Sequence, residues 1–328
     1  MHKNGQIAQR VIFLFLDGVG LGSDEGDVNP LVRAHLPVLN QLVGGQPLTA
    51  TAGRTETPTA SMVPIDATLG VPGRPQSATG QATLLTGINV PQRIGEHYGP
   101  KPNPAVQSVV RAGTLLSQLR DQQRTFSFVN AYPPRYFAAI DRGKHLLSVL
   151  PLAAVTAGQS LLTHEDLFAG RGFSADFTNQ GWRDHLGFPD APVLTAAEAG
   201  QRLAHRAAGV DFTLFEHWLT DIHGHQQDMP AAVANLETFD AFLGGLLAVC
   251  DLDDTLIIVT SDHGNVEDMT TRTHTMNAVP GLLIGAGHAE LANRLHSLSD
   301  VTPTIQAALA LPTDAPAHLT TTKDDRPV

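Results

Sequence analysis

The chain has 328 residues, longer than one typical domain, and its 42% hydrophobic and 16% charged composition describes a globular protein able to bury a large core. A net charge of -11 argues against a broad nucleic-acid surface, and the single cysteine, Cys250, excludes an internal disulfide and fits a reducing cytoplasm. No run approaches the ~18 uninterrupted apolar residues that a membrane span needs.

The first element, VIFLFLDGVG at 11 to 20, predicts a central strand of a parallel sheet: a continuous apolar run rich in β-formers, stopped by Asp17 and Gly18. VIFLFL runs into an aspartate and falls short of the ~7 to 15 residues of a secretory core, so a signal peptide is not expected. The segment TATAGRTETPTAS, 49 to 61, reads as an extended loop or edge piece. SATGQATLL then predicts a helix that starts at Ser77. A serine in that place is ordinarily an N-cap. The same place offers backbone N–H groups and a helix dipole to a phosphate, and a metal-bound serine there would be a nucleophile. Thr79 is the second candidate. QSATG is not the G-x-S-x-G elbow, and no Ser-His-Asp arrangement stands out.

Residues 112 to 132 predict an amphipathic helix and then a strand of the core. From 133 to 195 the chain is rich in Gly, Pro and aromatic residues without a long periodic run, and reads as a small inserted cap; 1–132 and 196–328 are expected to form the core. Within PRYFAAIDRGKHLL, Arg135, Arg142 and Lys144 are candidates to clamp the anionic end of a substrate, since arginine binds phosphate or carboxylate as a fork. His97, in GEHYGPKPNP, is a further candidate.

A second strand, in VDFTLFEHWLTDIHGH at 210 to 225, ends in Asp221, His223 and His225. Asp221 and His225 are four apart and share a face if the chain turns helical. The third, TLIIVTSDHG, ends in the adjacent Asp262 and His263, and His274 precedes another apolar run at 281 to 284. One Asp-Gly at a strand end is an ordinary turn; here the turn explanation must be invoked three times. Ligands of open α/β sheets collect outside the carboxyl ends of the strands, so these ends converge. Carboxylates with imidazoles suit Mn²⁺, Zn²⁺ or a similar divalent ion. His2, His35, His205, His288 and His318 sit in ordinary contexts and are taken as non-functional. The tail LTTTKDDRPV is predicted to be disordered.

The set Asp17, Ser77, Asp221, His225, Asp262, His263 and His274, carried by LDGVG, SATG, DIHGH, SDHGNVEDM and HTMNAVP, resembles the alkaline phosphatase superfamily. It is most similar to the cofactor-independent phosphoglycerate mutase and phosphopentomutase branch, over roughly 11 to 90 and 205 to 312; LSDVTPTIQAALALP resembles the stretch that closes the core in many members. The resemblance implies an α/β three-layer sandwich with a mostly parallel central sheet. It also implies two divalent metal ions, Mn or Zn, with Asp221, His225 and His274 holding one, and Asp17, Asp262, His263 and the Ser77 hydroxyl the other. Ser77 would be transiently phosphorylated between ions ~3.5 to 4 Å apart.

Asp141 and Arg142 resemble an Asp-Arg pair in the mutase insertion. That insertion is larger than the cap here, and the mutases use a lysine after it, whereas no lysine lies between Lys144 and Lys323. The expectation is therefore a hydrolase of small phosphate mono- or diesters, with a phosphomutase or a catalytically silent metal-binding protein as alternatives. SATGQ lacks the pattern from which sulfatases form their nucleophile. No nucleic-acid or membrane partner is expected, and the oligomeric state is not readable.

Overall fold

The computed structural model describes residues 7–312. The predicted disordered tail, His2 and His318 lie outside the described residues. The strands, in chain order, are β1 Arg10–Leu16, β2 Thr55–Glu56, β3 Ala60–Ile65, β4 Phe126–Phe128, β5 Ala131–Tyr132, β6 Leu162–Thr163, β7 Phe212–His217, β8 Thr255–Thr260 and β9 Val279–Gly285. Seven form one sheet in the order β2-β3-β9-β8-β1-β7-β4. Strands β8, β1, β7 and β4 run parallel, while β9 is antiparallel to both β8 and β3, and β2 is antiparallel to β3. The predicted loop or edge piece at 49 to 61 supplies the short edge strand β2.

The continuous apolar runs are explained by burial on both faces, because successive strand side chains alternate between them. Val11, Phe13 and Phe15 join a core with helices Ser77–Thr86, Pro104–Ala112, Leu115–Asp121, Val149–Thr156 and Val301–Ala308. Ile12, Leu14 and Leu16 join the opposite core, with helices Pro37–Leu42, Ala196–Ala207 and Met229–Leu247. Helix, sheet and helix thus form the three layers. No helix among the described residues is long and apolar enough to cross a membrane.

Helices Ala196–Ala207 and Met229–Leu247 touch backbone to backbone through two glycines. A Cβ at Gly200 would overlap the Phe242 carbonyl oxygen, and one at Gly245 the Ala197 carbonyl oxygen. Gly200→Val is expected to lower stability by about 1 to 3 kcal/mol through overpacking, read as a shift of the urea midpoint against wild type.

Between 133 and 195 the chain divides. Helix Val149–Thr156 is apolar and packs into the main core. Residues Leu167, Trp182 and Ala191 close a small cluster of their own with Ala131, beside the β5–β6 pair. The part of this region that stands off the main core therefore begins after that helix.

The register fixes where the site lies. β1, β7 and β8 are adjacent and end at one edge, and antiparallel β9 begins there, with Val279 opposite the last residue of β3, Ile65. The loops bearing Asp17, Asp221, Asp262, His263 and His274 all open from that edge.

Candidate metal centre

Asp17 follows β1 directly, and its N–H donates to the His217 carbonyl at 2.8 Å. Gly18 has φ +69°, and a Cβ there would lie 2.6 Å from Asp221 Oδ1, so glycine meets both the conformation and the approach. Helix Leu219–Gln226 forms as predicted after β7 and sets His225 Nε2 3.2 Å from Asp221 Oδ2. Asp262 and His263 follow β8. Helix Ser77–Thr86 packs onto them through Gly80, where a Cβ would stand 2.8 Å from both the Cβ and the carbonyl oxygen of Asp262.

Ser77 is not a cap. The N-cap position is Gln76, and the Ser77 hydroxyl, on the first helical residue, lies 3.0 Å from His263 Nε2. Thr79 is occupied differently: its hydroxyl donates to the carbonyls of Gln76 and Tyr98, at 3.1 and 3.3 Å.

Two groups of potential ligands meet here, Asp17 with Asp262 and His263, and Asp221 with His263 and His274. His225 belongs with the second, because its Nε2 lies 3.3 Å from that of His274. His274 Nδ1 is 2.7 Å from the Pro75 carbonyl and His225 Nδ1 is 2.6 Å from the Arg272 carbonyl. Each Nδ1 therefore carries a proton, and with both rings neutral the two Nε2 lone pairs face one another beside Asp221. A cation resolves that arrangement. Likewise His263 Nε2 lies 3.4 Å from Asp17 Oδ1 and 3.6 Å from Asp262 Oδ2, and Asp17 Oδ1 is buried without a hydrogen-bond partner. Divalent ions fit both groups.

The electrostatics agree. Burial, followed by the charge of Asp262, raises Asp17 well above the usual carboxylate range, and burial with the Asp221 charge raises Asp262 to about 8. Burial and neighbouring His274 push His263 down to about 3. Burial would raise Asp221 too, but hydrogen bonding from His225, the His263 charge and Asn265 bring it down to about 2. Bound cations would invert these shifts for the two crowded carboxylates.

Several supporting residues escaped the sequence reading. Gln81 donates to Asp262 Oδ2 at 3.2 Å and Asp17 Oδ2 at 3.4 Å, and Asn265 donates to Asp221 Oδ1 at 2.7 Å. Buried Glu267 accepts the N–H groups of Gly20 and Asn265 at 2.9 and 2.7 Å, the Asn277 amide at 3.0 Å and the Thr275 hydroxyl. It thereby ties together the loops that carry Asp17, Asp262–His263 and His274. A Cβ at Gly20 or Gly264 would overlap its carboxylate. Glu267→Ala leaves two buried N–H groups unpaired and is expected to cost at least about 2 kcal/mol in urea denaturation, with a smaller loss for Glu267→Gln.

The substrate candidates stand apart from this cluster. His97 Nε2 lies 3.1 Å from the Thr68 carbonyl and 3.3 Å from that of Val71, so the ring braces a loop. Arg135 is exposed, with Nη1 3.5 Å from the His185 carbonyl, and Arg142 and Lys144 are exposed as well. Two charged residues that the sequence did not single out couple electrostatically to it: burial lowers the pKa of half-buried Lys101 against the charges of Glu216 and Asp17, and Glu216 on β7 adds to the rise of Asp17.

Comparison with known proteins bears on the same stretch. Residues 192–313 match the Metalloenzyme superfamily model. Over 127 residues the chain is 33% identical to the 2,3-bisphosphoglycerate-independent phosphoglycerate mutase of Desulforudis audaxviator, which covers 37% of this chain and 25% of that protein. Over 91 residues it is 41% identical to the phosphopentomutase of Methylorubrum extorquens, covering 27% and 22%. The aligned part thus spans about a quarter of the length of these relatives. Among solved structures, the PH0037 protein from Pyrococcus horikoshii superposes with a TM-score of 0.55 at 15% identity, over 92% of this chain and 97% of that one. The alkaline phosphatase from the Antarctic bacterium TAB5 gives 0.52 at 13% identity, over 94% and 99%. Residues 192–313 are thus similar to the Metalloenzyme superfamily, and the chain has an alkaline phosphatase-like fold.

Proposed function

We propose that the protein is a two-metal phosphohydrolase that cleaves small phosphate mono- or diesters through a phosphoserine at Ser77. The observation that carries this reading is the Ser77 hydroxyl, at the start of a ten-residue helix and 3.0 Å from His263 Nε2, beside the Asp17–Asp262 pair. Asp221, His225 and His274 would hold one ion; Asp17, Asp262, His263 and the Ser77 hydroxyl would hold the other, as Mn or Zn. Such ions activate a hydroxyl at neutral pH and offset charge on the phosphoryl oxygens.

The chain's own part is to hold Ser77 Oγ in place and to present the helix start to an anionic group. A bond forms from Ser77 Oγ to phosphorus as the ester bond breaks, the organic alcohol departs with a proton, and water later cleaves the serine ester. The part of the 133–195 region after Thr156 would cover the substrate as a cap, and exposed Arg135, Arg142 and Lys144 would meet its anionic end. The single cysteine supports a cytoplasmic setting.

A phosphomutase is the second reading, favoured by the names of the aligned relatives. Phosphorus NMR on the metal-loaded protein with a panel of phosphate esters separates the two. Inorganic phosphate in solution is the expected result, and an isomerised ester without free phosphate would make the protein a mutase.

A further inference from the structure

On the β7 side of the metal-ligand cluster stands a group of side chains that this chemistry does not use. Glu216 is a carboxylate in the otherwise apolar part of β7 and is only 4% exposed. Asn130 pins its backbone on both sides, accepting its N–H at 2.8 Å and donating to its carbonyl at 2.6 Å. The carboxylate itself is barely engaged, accepting the Tyr132 hydroxyl at 3.4 Å. Tyr132 stacks on Tyr136 with ring centroids 4.4 Å apart and on Trp218 at 6.4 Å, and Tyr136 meets His145 edge-on at 5.4 Å.

Lys101 completes the group. Its segment is fastened to the nucleophile's helix by the Thr79 N–H on the Tyr98 carbonyl, 3.0 Å, and the Tyr98 N–H on Thr79 Oγ1, 3.1 Å. A Cβ at Gly99 would stand 3.1 Å from the Ser77 nitrogen, so this segment lies directly against Ser77. Burial brings the Lys101 pKa down and raises Glu216 to about 7, and the charge of each opposes the shift of the other.

Burying a lysine and a glutamate beside a crowded carboxylate site costs stability that an apolar pair would not. The group presents an acceptor at Glu216, donors at Lys101 and at the Tyr136 hydroxyl, and aromatic faces at Tyr136 and Trp218. Hydroxyls meet such donors and acceptors while C–H faces lie on the rings. A carboxylate-bearing ligand would instead confront both Glu216 and Asp17 with one lysine to offset them.

We propose that Lys101, Glu216 and the Tyr132–Tyr136–Trp218 stack form the subsite for the organic part of the phosphate ester, and that this part is an uncharged, polyhydroxylated sugar or polyol group. The proposal rests on Ser77 marking the phosphoryl position. Calorimetric binding to the Mn²⁺-loaded Ser77→Ala chain, which removes turnover, tests it with sorbitol 6-phosphate, 3-phosphoglycerate and inorganic phosphate. Sorbitol 6-phosphate binds at least about tenfold tighter than 3-phosphoglycerate, and Lys101→Met and Glu216→Gln each weaken it about tenfold or more while inorganic phosphate moves less than about twofold. Tyr136→Leu, on the half-buried face, weakens the sorbitol ester alone and serves if the Glu216 variant misfolds. Equal binding of the two esters, no binding of the sorbitol ester, or parallel loss of inorganic phosphate in the variants would overturn the subsite. Preserved selectivity with no ester turned over by wild type would instead overturn the nucleophile.

Discussion

Ser77→Ala is expected to reduce metal-dependent turnover of phosphate esters at least about 10³-fold, with little change in stability. The large effect follows because the hydroxyl would be the atom that bonds to phosphorus. The small one follows from local structure: Gln76 occupies the cap, alanine is the best helix former, and the hydroxyl's hydrogen-bond contact is with a histidine that would serve as a metal ligand. Thr79→Ala is the internal control. It removes the hydroxyl bonded to the Gln76 and Tyr98 carbonyls and should register chiefly in the denaturation midpoint. Steady-state kinetics and urea titrations of both variants, side by side, check the contrast.

Metal-stripped protein should lose about 1 to 2 kcal/mol of stability between pH 6.5 and 8, and a divalent ion should restore more than that loss at the upper end. Asp262, raised to about 8, Asp17, raised well above its ordinary value by burial, and Glu216, raised to about 7, hold protons in the folded chain that they release when unfolded. Their stabilisation is present below the unfolded carboxylate range and is lost as pH climbs through the folded values. His225, raised by its hydrogen bond to Asp221, behaves the same way above its unfolded value. His263, pushed down to about 3 by burial, has the opposite sign, losing stability as pH falls through the ordinary histidine range, which begins to count only at the lower edge of this window. Metal held by Asp17 and Asp262 would replace their protons, so the stabilisation by metal is expected to grow with pH. Urea titrations of the stripped and the Mn²⁺- or Zn²⁺-loaded protein at the two pH values measure both slopes.

What the sequence made legible was whatever is written locally. β1, β7 and β8 could be read because strands buried on both faces need unbroken apolar runs, and Asp17, Asp221, Asp262 and His263 follow close on the strand ends. Helices Leu219–Gln226 and Ser77–Thr86 could be read from spacing and composition. Less legible was anything set by tertiary approach. The antiparallel direction of β9 has no local mark. Helix Val149–Thr156 is apolar throughout and shows no amphipathic period, so its place in the main core was missed. Lys101 carried no hint at all, because its nearness to Asp17 and Glu216 arises from a loop laid across the Ser77 helix. Glu216 and Glu267 did leave a trace: each is a charged residue inside or just beyond a stretch otherwise buried, and such a residue needs partners.

The central claim is that Ser77 accepts the phosphoryl group. Acid quenching of the Mn²⁺-loaded protein during turnover of a phosphate ester, followed by mass spectrometry of its peptides, tests that claim most directly. The account predicts phosphate on the peptide that contains Ser77, dependent on metal and absent from Ser77→Ala. Steady turnover with no phosphate on Ser77, or turnover that survives the substitution, would contradict it.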